Sequence, residues 1–245
     1  MKDRIWPKAH RADRLNGLLV LDSRGMADGY VFAAVSQKVD KRLKLRIKKD
    51  ENLLTYDLNN QGEFELFPLQ LGDGLYDIRL YLNQFGKQYK NVGTLALSVK
   101  LKNPDAPFLV PNQYVNYSED SNIVKAADEL CEGLNEEDAF REICHYVESR
   151  FVYDHVKALR AKSGMLPNIE ESMKKHMGIC QDLAAVTVAM LRSQGIPAML
   201  IIGHADKQYH AWVTALVNGS FKRFDPAAAL LGFTRKVKYV AERFY

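Results

Sequence analysis

The chain has 245 residues, 47% of them hydrophobic, which is enough to bury the core of one large domain or of two modest ones. Lys and Arg number 34 against 30 Asp and Glu, and the net charge of +4 is spread along the chain, so no basic patch indicates nucleic acid or an anionic membrane as a partner. No apolar run reaches the roughly 20 residues of a membrane-spanning helix, and residues 1–21 lack the order of a secretory signal, so we expect a soluble protein.

The chain contains three cysteines, Cys131, Cys144 and Cys180. They cannot all pair internally, and they are too few for a disulfide framework in a chain of this length, so at least one is a free thiol. This composition predicts a cytoplasmic protein if the chain is complete as given, and an extracellular or cell-surface protein if a leader has been removed.

Residues 30–102 carry a succession of short β-type patterns separated by turn residues such as Asn59-Asn60-Gln61-Gly62 and Gly72-Asp73-Gly74. In Leu75–Leu82 apolar and polar residues alternate with the period of two that is typical of a strand with one buried face. We therefore predict an antiparallel, immunoglobulin-like β-sandwich. Its predicted strands are Tyr30–Ser36, Leu43–Lys48, Leu53–Leu58, Phe64–Leu69, Leu75–Leu82 and Val92–Leu101.

A proline-rich segment, Asn103–Asn112, interrupts this pattern, and the apolar residues after it recur with a helical period. Asn135 with Asp138 is a plausible N-cap for the second of the helices that follow. We therefore predict an α+β protein with two domains, a β-sandwich over residues 1–112 and a second domain over residues 113–245. Cys131 and Cys144 fall on the apolar faces of its predicted helices, which indicates core positions.

Cys180 follows Gly178-Ile179 at the start of a predicted helix that continues to Gln194. A lone cysteine is more often a small buried hydrophobe than a nucleophile. At a helix start, however, unpaired backbone N–H groups and the helix dipole favour the reactive thiolate, and the same N–H groups could hold a developing oxyanion. Gly178 would let a substrate backbone approach this end of the helix.

His210 lies on a predicted strand, Tyr209–Val217, that ends in Asn218-Gly219, the dipeptide typical of a two-residue type I′ hairpin turn. This turn would pair Val217 with Ser220 and Val213 with Phe224, and would place Asp225 on the same face as His210, diagonally across and within side-chain reach. Nucleophile, base and orienting carboxylate would then follow in the order Cys180, His210, Asp225, which is the arrangement that nucleophilic acyl transfer requires.

The segment from about Met165 to Leu230 resembles the transglutaminase-like superfamily, distant relatives of papain-type proteases, in its bacterial branch. The similarity lies in four motifs in the family's order and spacing: Gly178-Ile179-Cys180, Leu191–Ala198, His210-Ala211-Trp212 and Asp225-Pro226. The resemblance implies an α+β core of transglutaminase or papain type with Cys180, His210 and Asp225 as its catalytic triad, no cofactor or metal, and a peptide or protein substrate.

The resemblance also implies a second oxyanion donor from a side chain, for which Tyr153 and Gln181 are the candidates. Two positions depart from the family pattern, because Thr214 replaces a frequent acidic residue and Phe221 a frequent tryptophan. These departures bear on substrate contacts more than on the triad.

The predicted function is a cysteine-nucleophile acyl transfer on peptide or carboxamide bonds through a thioester, by a peptidase or amidase or by a protein-glutamine transglutaminase. The alternative is a binding or scaffold protein that retains the fold without catalysis. A metal site built from His176, Cys180, His204 and His210 is a weaker possibility, since these residues lack the close ligand pairs of structural zinc sites.

Overall fold

The computed structural model describes residues 4–162, 164–232 and 237–245. The chain divides into two compact units, Pro7–Val110 and Pro111–Tyr245, and residues 4–6 belong to the second. Contacts within this second unit hold the N-terminal segment: Arg4 forms an ion pair of 2.7 Å with Asp128, and the ring of Trp6 packs edge-on against Tyr117. The two-domain assignment with its boundary after residue 112 stays a prediction, and residues 1–3 lie outside the described residues.

The first unit is built from antiparallel strands. One sheet has the order β1-β2-β3-β6 and the other the order β5-β4-β7-β8. All the predicted strands form, with ends shifted by a few residues, and they are preceded by β1 and β2, which are too short to give a periodic pattern. The strands are β1 Arg14–Asn16, β2 Leu19–Asp22, β3 Tyr30–Val35, β4 Leu43–Lys49, β5 Asn52–Leu58, β6 Glu65–Pro68, β7 Gly74–Phe85 and β8 Gln88–Val99.

The inward residues of both sheets form a common core. Ile47 and Ile78, which face each other across β4 and β7, are fully buried. Tyr56 of β5 packs edge-on against Phe67 of β6 with ring centroids 5.2 Å apart, so aromatic side chains of the two sheets meet. These antiparallel sheets are consistent with the predicted β-sandwich.

The second unit combines helices with a further antiparallel sheet, which confirms the predicted α+β class. Asn135 caps the second helix as predicted, since its side chain accepts the backbone N–H of Asp138. The elements are α1 Asn122–Leu130, α2 Glu136–Arg150, β9 Val152–Tyr153, α3 His155–Arg160, α4 Ile169–Lys175, β10 Met177–Gly178, α5 Cys180–Ser193, β11 Ala198–Ala205, β12 Gln208–Val217, β13 Ser220–Phe224, α6 Pro226–Leu230 and β14 Tyr239–Phe244.

Helix α5 is the centre of this unit. Every residue from Asp182 to Ser193 is buried, and the helix packs against β11 and β12 and against α1 and α2. The guanidinium of Arg192, only 1% exposed, donates to the carbonyl oxygens of Ala198 and Tyr245 at 2.8 Å each. The C-terminal end of α5 is thereby tied to the start of β11 and to the residue that follows β14.

The sheet beside α5 has the strand order β13-β12-β11-β14. Its β12–β13 hairpin turns at Asn218 and Gly219, whose φ angles of 48° and 76° are the positive values of a type I′ turn. Val217 pairs with Ser220 and Val213 with Phe224, so the predicted register is confirmed.

Within the described residues, no helix has both the length and the apolar character needed to cross a bilayer.

Candidate active site

Cys180 is the first residue of α5 and is partly exposed. The carboxylate of Asp182, in the first turn of the helix, accepts the backbone N–H of Ile179 at 3.0 Å and forms an ion pair of 2.8 Å with Lys157. Asp182 is fully buried, so this carboxylate fixes the path of the chain into the helix.

Gly178 has a packing reason that differs from the expected one. A Cβ atom added there would lie 2.7 Å from the Cβ of Asp182, closer than real Cβ atoms approach. The glycine thus makes room for the buried carboxylate that begins the helix. Approach of a substrate backbone, which the sequence interpretation assigned to Gly178, is not needed to explain it.

A two-residue parallel ladder brings Tyr153 beside the cysteine. Val152 pairs with Met177 and Tyr153 with Gly178, and the backbone N–H of Asp154 donates to the carbonyl of Gly178 at 2.9 Å. The phenol of Tyr153 lies near the backbone N–H of Cys180, and burial raises the pKa of this phenol. Tyr153 therefore remains protonated, with an O–H to donate, next to the helix start.

His210 and Asp225 meet at the open end of the β12–β13 hairpin. Nε2 of His210 lies 2.8 Å from Oδ2 of Asp225. Asp225 follows the last residue of β13 and is the N-cap of α6, where its Oδ1 accepts the backbone N–H of Ala228 at 2.9 Å. The same carboxylate therefore begins a helix and holds the imidazole.

Protonation of His210 is strongly favoured in this environment. Burial by itself disfavours the imidazolium, but hydrogen bonds to Asp225 and to Cys180 outweigh it and raise the pKa of His210 to about 9. For Asp225, burial opposes ionisation, and the contacts with His210, Ala228 and Tyr239 outweigh it and lower its pKa. The imidazole thus lies between the sulfur of Cys180 and the carboxylate of Asp225. Because Nε2 interacts with Asp225, Nδ1 is the ring nitrogen that can interact with the sulfur.

Tyr239, a residue to which the sequence interpretation gave no role, is a further partner of the carboxylate. Its hydroxyl donates to Oδ2 of Asp225 at 2.7 Å, the same oxygen that faces His210. The ring is held edge-on against Trp212, with centroids 4.9 Å apart, and beneath the guanidinium of Arg223 at 4.2 Å. Tyr239 lies on β14, and no local pattern places that strand beside Asp225.

Cys180 and His210 open into one cavity of about 560 Å³. The lining comes from β9, from α3 and the residues after it, from the first turn of α5, and from β11, β12 and β14. The lining residues are Tyr153, Ala158, Ala161, Lys162, Ile179, Cys180, Gln181, Ile202, Gln208, Tyr209, His210, Ala211, Glu242 and Arg243.

The two candidates for a second oxyanion donor differ in their surroundings. The side-chain amide of Gln181 donates to the carbonyl oxygen of Met165 at 3.1 Å and is engaged there. Tyr153 carries its hydroxyl beside the N–H of Cys180. The geometry therefore favours Tyr153.

The other two cysteines differ from Cys180. Burial raises the pKa of Cys131, a core residue, to about 11 and that of Cys144, which is half-buried rather than in the core, to about 12, so both remain protonated thiols near neutral pH. Among residues 4–162, 164–232 and 237–245, no three His, Cys, Asp or Glu side chains are placed to hold a metal ion.

Comparison with known proteins assigns the segment to a family. Residues 125–226 match the model of the "Transglutaminase-like superfamily". No curated protein matches the sequence.

Among solved structures, the chain is similar to a candidate cysteine protease from Cytophaga hutchinsonii at 16% identity, covering 81% of this chain and 71% of that one with a TM-score of 0.45. The periplasmic domain of TgpA from Pseudomonas aeruginosa has 13% identity, coverages of 83% and 73%, and a TM-score of 0.42. Red sea bream transglutaminase has 12% identity, coverages of 85% and 49%, and a TM-score of 0.32.

The match of residues 125–226 to this family model confirms the resemblance drawn from the sequence motifs.

Proposed function

We propose that the protein is a cysteine-nucleophile acyl-transfer enzyme acting on peptide or carboxamide bonds, with Cys180 as nucleophile, His210 as acid and base, and Asp225 as the residue that orients the imidazole. The observation that carries the proposal is that the helix-start thiol and the carboxylate-bound imidazole open into one cavity. The transglutaminase-like family of residues 125–226 supports the same chemistry.

In the first half-reaction the thiolate of Cys180 attacks the carbonyl carbon, and the C–S bond forms as the carbonyl π electrons move to oxygen. The intermediate then collapses and the C–N bond breaks. The proton on Nδ1 of His210 passes to the departing amine, which leaves a thioester on Cys180 and a neutral imidazole.

The negative oxygen of the intermediate needs donors that are in place before the reaction. We assign the backbone N–H of Cys180 and the hydroxyl of Tyr153 to this role, because both residues line the cavity and the phenol lies beside the start of α5. The β9–β10 ladder holds the tyrosine there.

The second half-reaction returns the enzyme to its starting state. Neutral His210 takes a proton from water or from an amine as that group attacks the thioester, and the C–S bond breaks to release thiolate. Water gives a hydrolase and an amine gives a cross-linker. The first half-reaction is common to both.

A two-channel screen tests the proposal. Wild-type protein is incubated with casein, with and without a fluorescent primary amine, and peptide release and amine incorporation are measured. We expect activity in one channel at least, with Cys180→Ala and His210→Ala both reduced to background, since such residues act as a unit.

Cys131→Ala is the matched control, because it removes a thiol from the buried core and should keep the activity. Equal turnover by wild type and Cys180→Ala would refute the mechanism. Inactivity of the wild type in both channels, with a Cys180 no more reactive than the buried thiols, would favour the scaffold alternative.

A further inference from the structure

The cavity beside Cys180 contains a guanidinium whose surroundings suggest a ligand. Arg243 of β14 lines the cavity and is exposed. Its Nη2 donates to the hydroxyl of Tyr209, and Tyr245 supplies a second hydrogen bond. A phenol is neutral at physiological pH, so the contact with Tyr209 orients the guanidinium without cancelling its charge.

Among the described residues, no aspartate or glutamate side chain lies within ion-pair distance of Arg243. The acidic residue of the cavity lining, Glu242, is 3.0 Å from Nδ1 of His204. Lys162 adds a second cation to the same lining. The cavity therefore offers positive charge close to the nucleophile.

An irregularity in β14 explains why two consecutive residues face this cavity. The pairing with β11 shifts between Ile202, opposite Arg243, and Gly203, opposite Ala241, so Glu242 is the extra residue of a bulge. In a regular strand neighbouring side chains point to opposite faces, whereas a bulge re-aims one of them. The bulge brings both Glu242 and Arg243 to the cavity.

We propose that the cavity selects substrates that carry a carboxylate near the bond to be cleaved, and that Arg243 binds this carboxylate, with the hydroxyl of Tyr209 holding the guanidinium in place. A planar guanidinium with a neutral partner suits the two oxygens of a carboxylate. The carboxylate belongs either to an acidic side chain or to the end of a peptide. The identity of the substrate in this inference rests on the proposed function. The carboxylate-binding site rests only on the residues that line the cavity.

The first experiment does not require the protein to turn over a substrate. Cys180 is alkylated with iodoacetate and, separately, with iodoacetamide, which differ in the carboxylate, and the rates are measured by mass spectrometry of the Cys180 peptide. Arg243→Gln should lower the ratio of the iodoacetate rate to the iodoacetamide rate about fivefold, because a favourable charge interaction is lost. The same charge is removed outside the cavity lining in the control Arg160→Gln, which should keep the wild-type ratio.

The second experiment identifies the source of the carboxylate. Randomised hexapeptides with free and with amidated C-termini are digested by the wild type, Arg243→Gln and Arg160→Gln, and the products are sequenced. We expect the wild type and Arg160→Gln to show a preference of about tenfold. The preference is either for an acidic residue (Asp or Glu) at one peptide position or for a free C-terminus. Arg243→Gln should lose this preference.

The proposed carboxylate site would be overturned if Arg243→Gln had the wild-type ratio of iodoacetate to iodoacetamide rates. It would also be overturned if the wild type cleaved peptides with no preference for an acidic side chain or for a free C-terminus. If no peptide is cleaved by any variant, hydrolysis fails as a function. The alkylation ratio still decides whether Arg243 binds a carboxylate.

Discussion

The phenol of Tyr239 donates to the same oxygen of Asp225 that faces His210, at 2.7 Å from Oδ2. Two donors therefore share one carboxylate oxygen. The hydrogen bond from the phenol stabilises part of the negative charge on Oδ2. The attraction between Asp225 and the imidazole of His210 is therefore weaker than it would be without Tyr239.

Tyr239→Phe removes this hydroxyl and keeps the ring between Trp212 and Arg223. We expect the pKa of Asp225 to rise, since a stabilising donor is lost, and the pKa of His210 to rise further, since Oδ2 then interacts with the imidazole alone. The alkaline limb of the pH profile of Cys180 alkylation should move to higher pH. If the variant has a lower melting temperature but an unchanged pH profile of Cys180 alkylation, the role of Tyr239 is structural only.

Alkylation near neutral pH should be selective for one thiol. Burial raises the pKa values of Cys131 and Cys144 to about 11 and about 12, whereas Cys180 lies at a helix start beside a protonated imidazole. Iodoacetamide followed by peptide mapping should label Cys180 at least tenfold faster than the other two. His210→Ala should remove most of this advantage, and a reactivity that survives the substitution would contradict the proposed pairing of sulfur and imidazole.

Stability should fall on the alkaline side of neutrality. The pKa of His210 is about 9 in the folded protein and 6.5 without perturbation, so protonation stabilises the fold fully below about pH 6.5 and the contribution is lost as the pH rises through about 9. Urea unfolding across this interval should show the decline. His210→Gln should flatten this part of the curve, and an equal slope in both proteins would assign the decline to other groups.

Asp182 should be important for stability. Asp182→Ala removes the acceptor of the Ile179 N–H and leaves Lys157 without its partner. Because Lys157 is 27% exposed and water can solvate its ammonium group, we expect a loss of about 1–3 kcal/mol in the free energy of unfolding rather than the larger cost of an isolated buried charge. Urea unfolding measures it, with Lys157→Met as the comparison; a loss below about 0.5 kcal/mol would contradict the assignment.

Gly178→Ala tests the packing around this carboxylate. The added methyl group would meet the Cβ of Asp182 at 2.7 Å, so either the helix start or the β10 strand must shift. We expect lower stability together with slower Cys180 alkylation. A Gly178→Ala variant with wild-type stability and reactivity would show that the clash is relieved without cost.

Local chemistry allowed much of this site to be predicted. The hairpin register follows from the Asn218-Gly219 turn, and this register places Asp225 on the same face as His210. The helix that begins at Cys180 follows equally from its neighbours in sequence. Both inferences depend on contacts between residues that are close along the chain.

Contacts between distant segments could not be predicted in this way. Tyr239 reaches Asp225 only because β14 pairs with β11, and Lys157 reaches Asp182 through the placement of α3. Neither pairing leaves a period or a turn motif in the sequence. The short exposed strand β1, Arg14–Asn16, escaped prediction for a related reason, since three exposed residues give no alternation of buried and exposed positions.

Strand β14 contributes to three regions of the unit. Its Tyr239 donates to Asp225, its Arg243 lines the cavity, and the backbone carbonyl of the residue that follows it accepts a hydrogen bond from Arg192. Its neighbour β11 precedes it by more than thirty residues, so this edge pairs only after a long loop has closed. Until β14 joins the sheet, Asp225 lacks its second donor and the cavity lacks Arg243. The proposed active site is therefore complete only after this long-range pairing has formed.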